Sequence, residues 1–473
     1  MLPACIFALT LSASSLAAAA LPAAMLDILN QQNVPPSSVA VVVMRPGATA
    51  LISQNATLSM SPASTMKLVT SLVALEQLGP AFRWKTRILA DAAPQKEILK
   101  GNLYLRGGGD PNLTAENFAS MLRALRAQGI RKISGDVILD RSYFSPQRAD
   151  LNAPQFDQNP NAYYNVIPDA LLINSNISAI TLSSGSDKID ARMQTPLDKI
   201  QFDNHLHFND KPCSTWESEL QPAVADLQRK EQIAISLSGG FPRHCQVTAY
   251  LNLIDRNQYI AHLLRGLWTE MGGSWQGRVR DGITPDQAVL LHERISDSLA
   301  DTVRIINKSS DNAMARMVYL TLGAESLSKI STDSAAEAAL RIRAWFAAHQ
   351  IDATGLVLDN GSGLSRSERI SATQLAALLG VAADSDWSAE FVSSLPIVAL
   401  DGTMRKRLTG SAAAQRGRIK TGTLKDSTAI AGYVRDQDNQ TWVVVAFINH
   451  DKAMAARAAL DALIAAVVEG KTN

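Results

Sequence analysis

Two residues that lie close together in the sequence could form a nucleophile and its base. Ser64 and Lys67 stand three positions apart in the stretch SPASTMKLVTSLVALEQLG, residues 61–79. Residues three apart share one face of a helix, so the Lys67 amine can reach the Ser64 hydroxyl. A serine hydroxyl is a weak nucleophile at neutral pH, and a lysine can serve as its base if burial or a neighbouring cation lowers the lysine pKa. The pair therefore predicts covalent catalysis.

The S-x-x-K spacing is weak evidence by itself. Ser326–Lys329 in the stretch SLSK also fits it, without other reactive residues around it. For either copy alone, a helix cap followed by a solvated lysine is the simpler interpretation. The pattern therefore needs support from elsewhere in the chain.

Two further motifs supply that support. KSSDNAMA contains Ser310-Asp311-Asn312, and RIKTGTL contains Lys420-Thr421-Gly422-Thr423. We expect Ser310 to relay a proton between Lys67 and a leaving nitrogen, and Asn312 to hold a backbone amide of the substrate.

The K-T-G motif has its own predicted roles. The Lys420 charge would keep Lys67 neutral and attract a C-terminal carboxylate. The hydroxyls of Thr421 and Thr423 would bind the same carboxylate, and Gly422 would let a substrate strand lie close to the motif's own strand.

The order S-x-x-K, S-D-N, K-T-G resembles that of penicillin-binding proteins and class A β-lactamases. More narrowly, the chain resembles the class C low-molecular-mass penicillin-binding proteins of peptidase family S13, which are D-alanyl-D-alanine carboxypeptidase/endopeptidases of the penicillin-binding protein 4 type. The stretches GNLYLRGGGDPNLT, LDNGSGLSRSERIS and LPIVALDGTMRKRL carry the same likeness. The long interval between Ser64 and Ser310 favours this family over a β-lactamase.

The resemblance implies a serine hydrolase that needs no cofactor or metal. Ser64 would attack the carbonyl between two D-alanines of a peptidoglycan stem peptide or cross-link, and the backbone N–H groups of Ser64 and Thr423 would stabilise the oxyanion. β-Lactams would acylate the same serine. The resemblance also assigns Asp140, which follows a strand, to the amine of the stem peptide's diamino acid, and Arg366 to the substrate cleft. Lys425 departs from the family, because a neutral polar residue is expected there.

Two other functions fit the motifs. A serine β-lactamase would share them and add fast deacylation, but the long insertion argues against it. A non-catalytic scaffold or sensor that binds peptidoglycan or β-lactam would not need a matched serine and lysine.

The elements that must position these residues occur at both ends of the chain. SSVAVVVMRPGATALIS, residues 37–53, predicts two strands around a Pro-Gly turn, and residues 64–78 predict a helix. TAIAGYVRD and TWVVVAFINH predict two late strands, followed by a C-terminal amphipathic helix. We therefore expect one sheet completed by both termini.

The fold class predicted is α/β, with a catalytic domain like that of serine β-lactamases and penicillin-binding transpeptidases, in which helices flank an antiparallel sheet. The catalytic domain would be discontinuous, with parts at 21–98 and 285–473. Short strand-like runs between turn-rich stretches predict a β-rich insertion at 99–284, with a further nested domain at about 170–250.

The N-terminus predicts export to the periplasm. Residues 1–20 are free of charge and end in an Ala-x-Ala cleavage pattern, although no basic residue precedes the apolar core. An uncleaved membrane anchor is the alternative. Peripheral membrane association and the oligomeric state stay open.

Composition and cysteine content agree with this setting. A net charge of +1 over 473 residues gives no case for nucleic-acid binding. With Cys5 in the signal segment, Cys213 and Cys245 remain. We expect them to form a disulfide that closes a loop of roughly 30 residues and contributes about 3–4 kcal/mol, with two separate buried thiols as the alternative.

Overall fold

The computed structural model describes residues 20–226, 232–326 and 330–472. The predicted signal segment, apart from Ala20, lies outside the described residues. Lys329 of the second S-x-x-K copy lies outside them as well.

The α-helices of the described residues are, in chain order, α1 Ala23–Gln31, α2 Lys67–Leu78, α3 Ala115–Ala127, α4 Arg256–Glu270, α5 Leu299–Ser309, α6 Asn312–Ala324, α7 Ser334–Ala348, α8 Ala372–Asp384, α9 Ser388–Ser394 and α10 Arg457–Val468. None of these helices combines the length and apolar character needed to cross a bilayer.

The strands of the described residues are β1 Val39–Met44, β2 Ala50–Gln54, β3 Lys85–Ala90, β4 Ile98–Leu99, β5 Leu103–Arg106, β6 Lys132–Ile133, β7 Val137–Asp140, β8 Ser178–Ser184, β9 Ile189–Met193, β10 Ile200–Asn209, β11 Val224–Asp226, β12 Ile233–Pro242, β13 Gln246–Leu251, β14 Ser274–Trp275, β15 Val279–Asp281, β16 Val289–Ile295, β17 Gly417–Leu424, β18 Ser427–Arg435 and β19 Thr441–Asn449.

The two ends of the chain meet in one antiparallel five-stranded sheet, with strand order β17-β18-β19-β1-β2. Val41 in the middle of β1 pairs with Ala446 of β19 on one side and with Gln54 of β2 on the other. The predicted sheet completed by both termini is therefore present.

Helices cover both faces of this sheet. Val39, Val41 and Val43 of β1 contribute to a core shared with α1 and α10, whereas Ala40 and Val42 contribute to a core shared with α2 and α8. The run of β-branched residues in β1 is explained by this burial on both faces.

A second five-stranded sheet has the order β15-β7-β5-β3-β16. Its strands β3 and β16 pair with each other, although both lie outside the predicted insertion 99–284. This pairing favours domain boundaries before Lys85 and after Ile295. The predicted division into domains stays a prediction.

The central part of the chain is less purely β than its sequence suggests. The helices α3 and α4 pack with small sheets ordered β13-β8-β9, β10-β12-β11 and β14-β6-β4. Several neighbouring strands run parallel, for example β5 with β7 and β10 with β12. Cys213 and Cys245 are joined by a disulfide, with their Cα atoms 5.4 Å apart.

Candidate active site

The Ser64 hydroxyl stands on a tight turn at the start of a buried helix. Residues Ala63–Met66 form a 3₁₀ turn that leads directly into α2. Ala63 has a φ of 44°, a left-handed conformation that costs a non-glycine residue about 1–3 kcal/mol. Strain of this kind persists where the surroundings hold it, and it is typical of functional turns.

Two glycines let neighbouring backbone approach this turn. A Cβ at Gly363 would lie 1.9 Å from the Ala63 carbonyl oxygen, and a Cβ at Gly422 would lie 2.9 Å from the Ser64 nitrogen. Strand β17 therefore lies directly against the turn that carries Ser64. The sequence argument explained Gly422 by space for a substrate, whereas the structure shows that the turn of Ser64 itself requires a glycine there.

Lys67 is the first residue of α2 and its side chain is fully buried. Its Nζ atom lies 3.0 Å from Ser64 Oγ, 2.6 Å from Asn312 Oδ1 and 2.5 Å from the carbonyl oxygen of Ser362. The amine is thus held beside the serine by groups from three separate parts of the chain.

Burial lowers the pKa of Lys67 to about 7. The carboxylates of Asp311 and Glu368 raise this pKa and the Arg316 guanidinium lowers it, but both effects are smaller than that of burial. The sequence argument gave the lowering role to the charge of Lys420. The structure assigns it chiefly to desolvation, which leaves a large fraction of the amine neutral near pH 7.

Ser310 lies at a sharp break between α5 and α6. Its left-handed conformation, φ 63° and ψ 37°, ends α5, and Asp311 starts α6 by accepting a hydrogen bond from the Met314 nitrogen at 2.8 Å. The helical pattern in the sequence continues across this point without a break. The interruption is what places Ser310 and Asn312 side by side at the cleft.

Ser310 is paired with the second lysine. Lys420 Nζ donates to Ser310 Oγ at 2.8 Å and to the Thr421 carbonyl at 2.8 Å. The Lys420 side chain is fully buried, and its pKa is lowered first by that burial and second by the charge of Lys67. The site therefore contains two buried amines, each beside one serine.

A buried carboxylate supports the loop behind Lys67. Glu368 accepts hydrogen bonds from the backbone nitrogens of Gly361 at 2.7 Å and of Gly363 at 2.8 Å. These two residues flank Ser362, whose carbonyl contacts Lys67. Burial raises the pKa of Glu368 above its ordinary value. The sequence argument did not identify this residue, because an acid within LSRSERIS carries no catalytic spacing.

Around Ser64 opens a cleft of about 870 Å³. Its walls include several predicted site residues: Ser64, Ser310, Asn312, Arg366, Thr421, Thr423 and Lys425. The structure thus brings together motifs that lie far apart in the sequence.

The opposite wall of the cleft comes from residues 156–164. Arg366 lies over the Phe156 ring, with its guanidinium carbon 4.4 Å from the ring centroid. Asp157 also lines the cleft and accepts hydrogen bonds at 2.9 Å from the Tyr164 hydroxyl and from the Asn165 side chain. The Asn312 side chain donates to the Tyr164 carbonyl at 3.1 Å, which ties this wall to the S-D-N motif.

Asp140 does not line this cleft. Its buried carboxylate accepts hydrogen bonds from the Ser142 hydroxyl at 2.6 Å and from the Thr284 nitrogen at 2.9 Å. Arg106 lies 3.8 Å away as an ion-pair partner. The structure therefore does not place Asp140 in the cleft with Ser64, and its carboxylate connects β7 with the segment before β16. Asp157, on the segment 156–164, does line the cleft, as does Asp311 of the S-D-N motif.

Sequence reasoning also missed Thr403. Its hydroxyl accepts a hydrogen bond at 2.8 Å from Thr421 and it lines the cleft. The stretch LPIVALDGTMRKRL contains this threonine, but nothing in its spacing singles it out. Ser326 of the second S-x-x-K copy is buried and donates to Glu337 at 2.6 Å, which is a structural contact.

The fold and the site define a class, the serine acyl-transfer enzymes of the penicillin-binding and β-lactamase type. The family model for the "D-Ala-D-Ala carboxypeptidase 3 (S13) family" matches residues 21–467, so the chain belongs to that family. It is a serine-type D-Ala-D-Ala carboxypeptidase, a hydrolase of the penicillin-binding protein group. The family and the fold class predicted from the sequence are confirmed.

The names of similar curated proteins agree with this family assignment. A D-alanyl-D-alanine carboxypeptidase from Actinomadura sp. is 28% identical over 409 residues, covering 79% of this chain and 70% of the relative. The D-alanyl-D-alanine carboxypeptidase DacB from Haemophilus influenzae is 26% identical over 403 residues, covering 84% of this chain and 81% of the relative.

Solved structures show the same fold. Penicillin binding protein 4 (dacB) from Haemophilus influenzae superposes with a TM-score of 0.77 at 23% identity, over 93% of this chain and 99% of that chain. The same protein has also been solved in complex with a β-lactam, with a TM-score of 0.73 at 21% identity, over 93% of this chain and 99% of that chain.

Proposed function

We propose that Ser64 is the nucleophile and Lys67 its base in cleavage of the D-alanyl-D-alanine bond of peptidoglycan stem peptides. The observation that carries this proposal is the Lys67 amine, buried 3.0 Å from the Ser64 hydroxyl with a pKa lowered to about 7. The Ser64 oxygen bonds to the carbonyl carbon, its proton passes to Lys67, and the terminal D-alanine leaves. Water then releases the shortened peptide from the serine.

The hydrogen bonds around Lys67 favour this direction of proton transfer. A neutral amine has two N–H groups and one lone pair. The Asn312 side-chain oxygen and the Ser362 carbonyl can accept the two N–H groups. The lone pair is then left for the proton of Ser64, which is the third neighbour of the amine.

Ser310 and Lys420 fit the delivery of a proton to the leaving amine. Lys420 donates to Ser310 at 2.8 Å, and Ser310 lines the cleft beside Asn312. The Ser310 hydroxyl gives its proton to the departing nitrogen and is reprotonated by the proton that Lys67 took from Ser64, so the proton count closes. Lys420 orients Ser310 for this relay through its hydrogen bond.

The K-T-G strand provides the binding side of the proposal. Thr421, Thr423 and Thr403 offer hydroxyls in the cleft to the terminal carboxylate of the substrate. The backbone N–H groups of Ser64 and Thr423 form the oxyanion hole, which typically contributes about 3–4 kcal/mol to the stability of the transition state.

The cleft wall formed by residues 156–164 determines the specificity for the stem peptide. Asp157 takes the role that the resemblance gave to Asp140, because it lies in the cleft and can face an amine of the stem peptide's diamino acid. Burial raises the pKa of Asp157, but hydrogen bonds from the Asn159 nitrogen and the Tyr164 hydroxyl, among others, outweigh it. The pKa therefore lies below its ordinary value, with a smaller contribution from the charge of Arg366. Lys425 adds a cation to the same cleft and changes stem-peptide preference without affecting acylation.

The proposed setting is the periplasm, with residues 1–20 as the export signal. Substrates are stem peptides and their cross-links, so endopeptidase activity accompanies carboxypeptidase activity. β-Lactams acylate Ser64 with slow release. The Haemophilus influenzae protein solved in complex with a β-lactam supports the binding of this class of ligand.

Intact-mass spectrometry after incubation with benzylpenicillin, followed by peptide mapping, tests the nucleophile. We expect one adduct, on the peptide that carries Ser64. Ser64→Ala should abolish the adduct, while Ser326→Ala should leave it in place, since Ser326 lies in a structural contact with Glu337. Equal labelling of the Ser64→Ala protein would overturn the assignment. An unlabelled wild-type protein with a hydrolysed drug would indicate a β-lactamase.

A further inference from the structure

A second cleft, of about 470 Å³, lies next to the catalytic cleft on the inserted part of the chain. It opens between the sheets β13-β8-β9 and β10-β12-β11 and the segment 159–164. Its distinctive feature is a set of aromatic rings, from Tyr163, Tyr250 and Trp216. Tyr163 is 62% exposed and Tyr250 is 56% exposed, and the Tyr163 ring packs edge-to-face on Tyr164, with ring centroids 5.7 Å apart.

The two clefts share a wall. Asn159, Tyr163 and Tyr164 line both of them. Tyr164 is also the residue whose carbonyl accepts the hydrogen bond from Asn312, 3.1 Å away in the S-D-N motif. A molecule held in the second cleft is therefore adjacent to a molecule that reacts at Ser64.

The second cleft is fixed in shape by its own backbone. The Asn252 nitrogen donates to the Asn161 carbonyl at 2.8 Å, and the Asn161 side chain donates to the Ala223 carbonyl at 3.2 Å. Trp216 lies on the 3₁₀ segment Cys213–Glu219, which the disulfide to Cys245 ties to the start of β13. Binding here requires little ordering of the chain, so little affinity is lost to conformational entropy.

The chemistry of the lining selects a neutral ligand with flat apolar faces. Among the described residues that line the cleft there is no lysine, arginine or histidine, and Glu217 is the single carboxylate. Free carboxylates of a second stem peptide would lack a cation there. A pyranose ring has apolar C–H faces that stack on aromatic rings and a polar rim that hydrogen-bonds to groups such as Gln221 and Ser238.

We propose that this cleft binds an amino sugar of the glycan strand that carries the stem peptide. The inference rests on the proposed function, because the stem peptide in the catalytic cleft is what brings its own sugar to the neighbouring site. The aromatic cleft would let the enzyme distinguish peptides still attached to the glycan from free peptides.

The test compares two substrates that contain the same scissile bond. One is a stem pentapeptide, and the other is the same pentapeptide on an N-acetylglucosamine–N-acetylmuramic acid disaccharide. For the wild-type protein we expect kcat/KM to be about tenfold higher with the disaccharide, the order of one or two aromatic stacking contacts. Trp216→Ala and Tyr250→Ala should remove that advantage and leave the free pentapeptide unaffected.

Conservative variants and penicillin serve as controls. Tyr250→Phe keeps the ring and should keep the advantage, and benzylpenicillin should acylate Ser64 at the wild-type rate in each variant. Equal kcat/KM for both substrates in the wild type would overturn the proposal. So would a parallel loss on both substrates in the alanine variants, since that indicates a general structural effect.

A binding measurement separates this proposal from the proposed function. Ligand-observed NMR of the disaccharide, with its lactoyl group as an amide, follows binding to the Ser64→Ala protein without turnover. Loss of this binding in Ser64→Ala/Trp216→Ala supports the sugar site even if neither peptide is cleaved by the wild type. Binding that is absent, or unchanged by Trp216→Ala, overturns the sugar site while leaving peptide cleavage intact.

Discussion

At the residue scale, the site depends on burying two amines that would be charged in water. Lys67 and Lys420 are both fully shielded from solvent, and burial is the largest cause of the lowered pKa in each. Desolvation disfavours the ammonium form, which converts an ordinary lysine into a base that functions near neutral pH. In the proposed mechanism, the packing around Lys67 is therefore what makes this amine able to accept the Ser64 proton.

The pH dependence of acylation follows from this arrangement. Because the base must be neutral, the rate of benzylpenicillin acylation should rise with pH through about 7, the lowered pKa of Lys67, and level off above it. Stopped-flow measurement of the acylation rate between about pH 5 and 9 gives the profile. This interval covers about two pH units on either side of the Lys67 pKa, over which the amine changes from charged to neutral. A rate that falls as pH rises through this range would contradict Lys67 as the base.

Glu368→Gln provides a matched variant for the same profile. The Glu368 carboxylate raises the pKa of Lys67, so its replacement by a neutral amide should move the midpoint of the profile to lower pH. The glutamine oxygen can still accept from the Gly361 nitrogen, which limits damage to the loop. An unshifted midpoint would assign Glu368 a purely structural role.

At the element scale, the turn Ala63–Met66, which carries Ser64, is held between a helix and a strand. Strand β17 lies against it at Gly422, and the break between α5 and α6 presents Ser310 and Asn312 from the other side. The relative positions of the three motifs therefore depend on close contacts between backbone segments as much as on contacts between side chains.

Gly422→Ala tests the backbone approach. Its Cβ would lie 2.7 Å from the Pro62 carbonyl oxygen and 2.9 Å from the Ser64 nitrogen, so the turn must move. We expect acylation to fall by about 100-fold or more, since a misplacement of about 1 Å can cost that much. Intact-mass kinetics with benzylpenicillin measure the loss.

Gly380→Ala is the control for this substitution. Gly380 lies in α8 and an added Cβ there meets nothing within 4 Å. Alanine should raise the free energy of unfolding by about 0.8–1.0 kcal/mol through its higher helix propensity and leave acylation unchanged. If benzylpenicillin acylated the Gly422→Ala protein at the wild-type rate, the Ser64 turn would tolerate a side chain at position 422.

At the scale of the whole molecule, the disulfide lies in the central part of the sequence, whereas Lys67 and Lys420 come from its early and late parts. Replacing Cys213 and Cys245 by serine removes a constraint across 32 residues of sequence, which should lower the free energy of unfolding by about 3–4 kcal/mol. Denaturant unfolding measures this change. Acylation of Ser64 should persist in buffer without denaturant. If acylation were lost along with the stability, the region around the disulfide and the region around Ser64 would unfold as one unit.

The sequence by itself determined the chemistry of this protein. Ser64 and Lys67 lie one helical turn apart, and local periodicity is enough to predict that they meet. The S-D-N and K-T-G motifs, with the wider resemblance, identified the family. The early and late strands could be predicted because each is a β-branched run bounded by turn residues.

The tertiary structure decided which other residues share the cleft. The resemblance pointed to Asp140, but its carboxylate is hydrogen-bonded to Ser142 and Thr284 outside the cleft, whereas Asp157 lines the cleft. Glu368 and Thr403 carry no local signal, because their roles depend on contacts between segments distant in the sequence. The break at Ser310 was hidden by an uninterrupted helical pattern. Spacing along the chain determines only what meets within a few turns, whereas burial, desolvation and the approach of separate backbones arise when the whole chain packs.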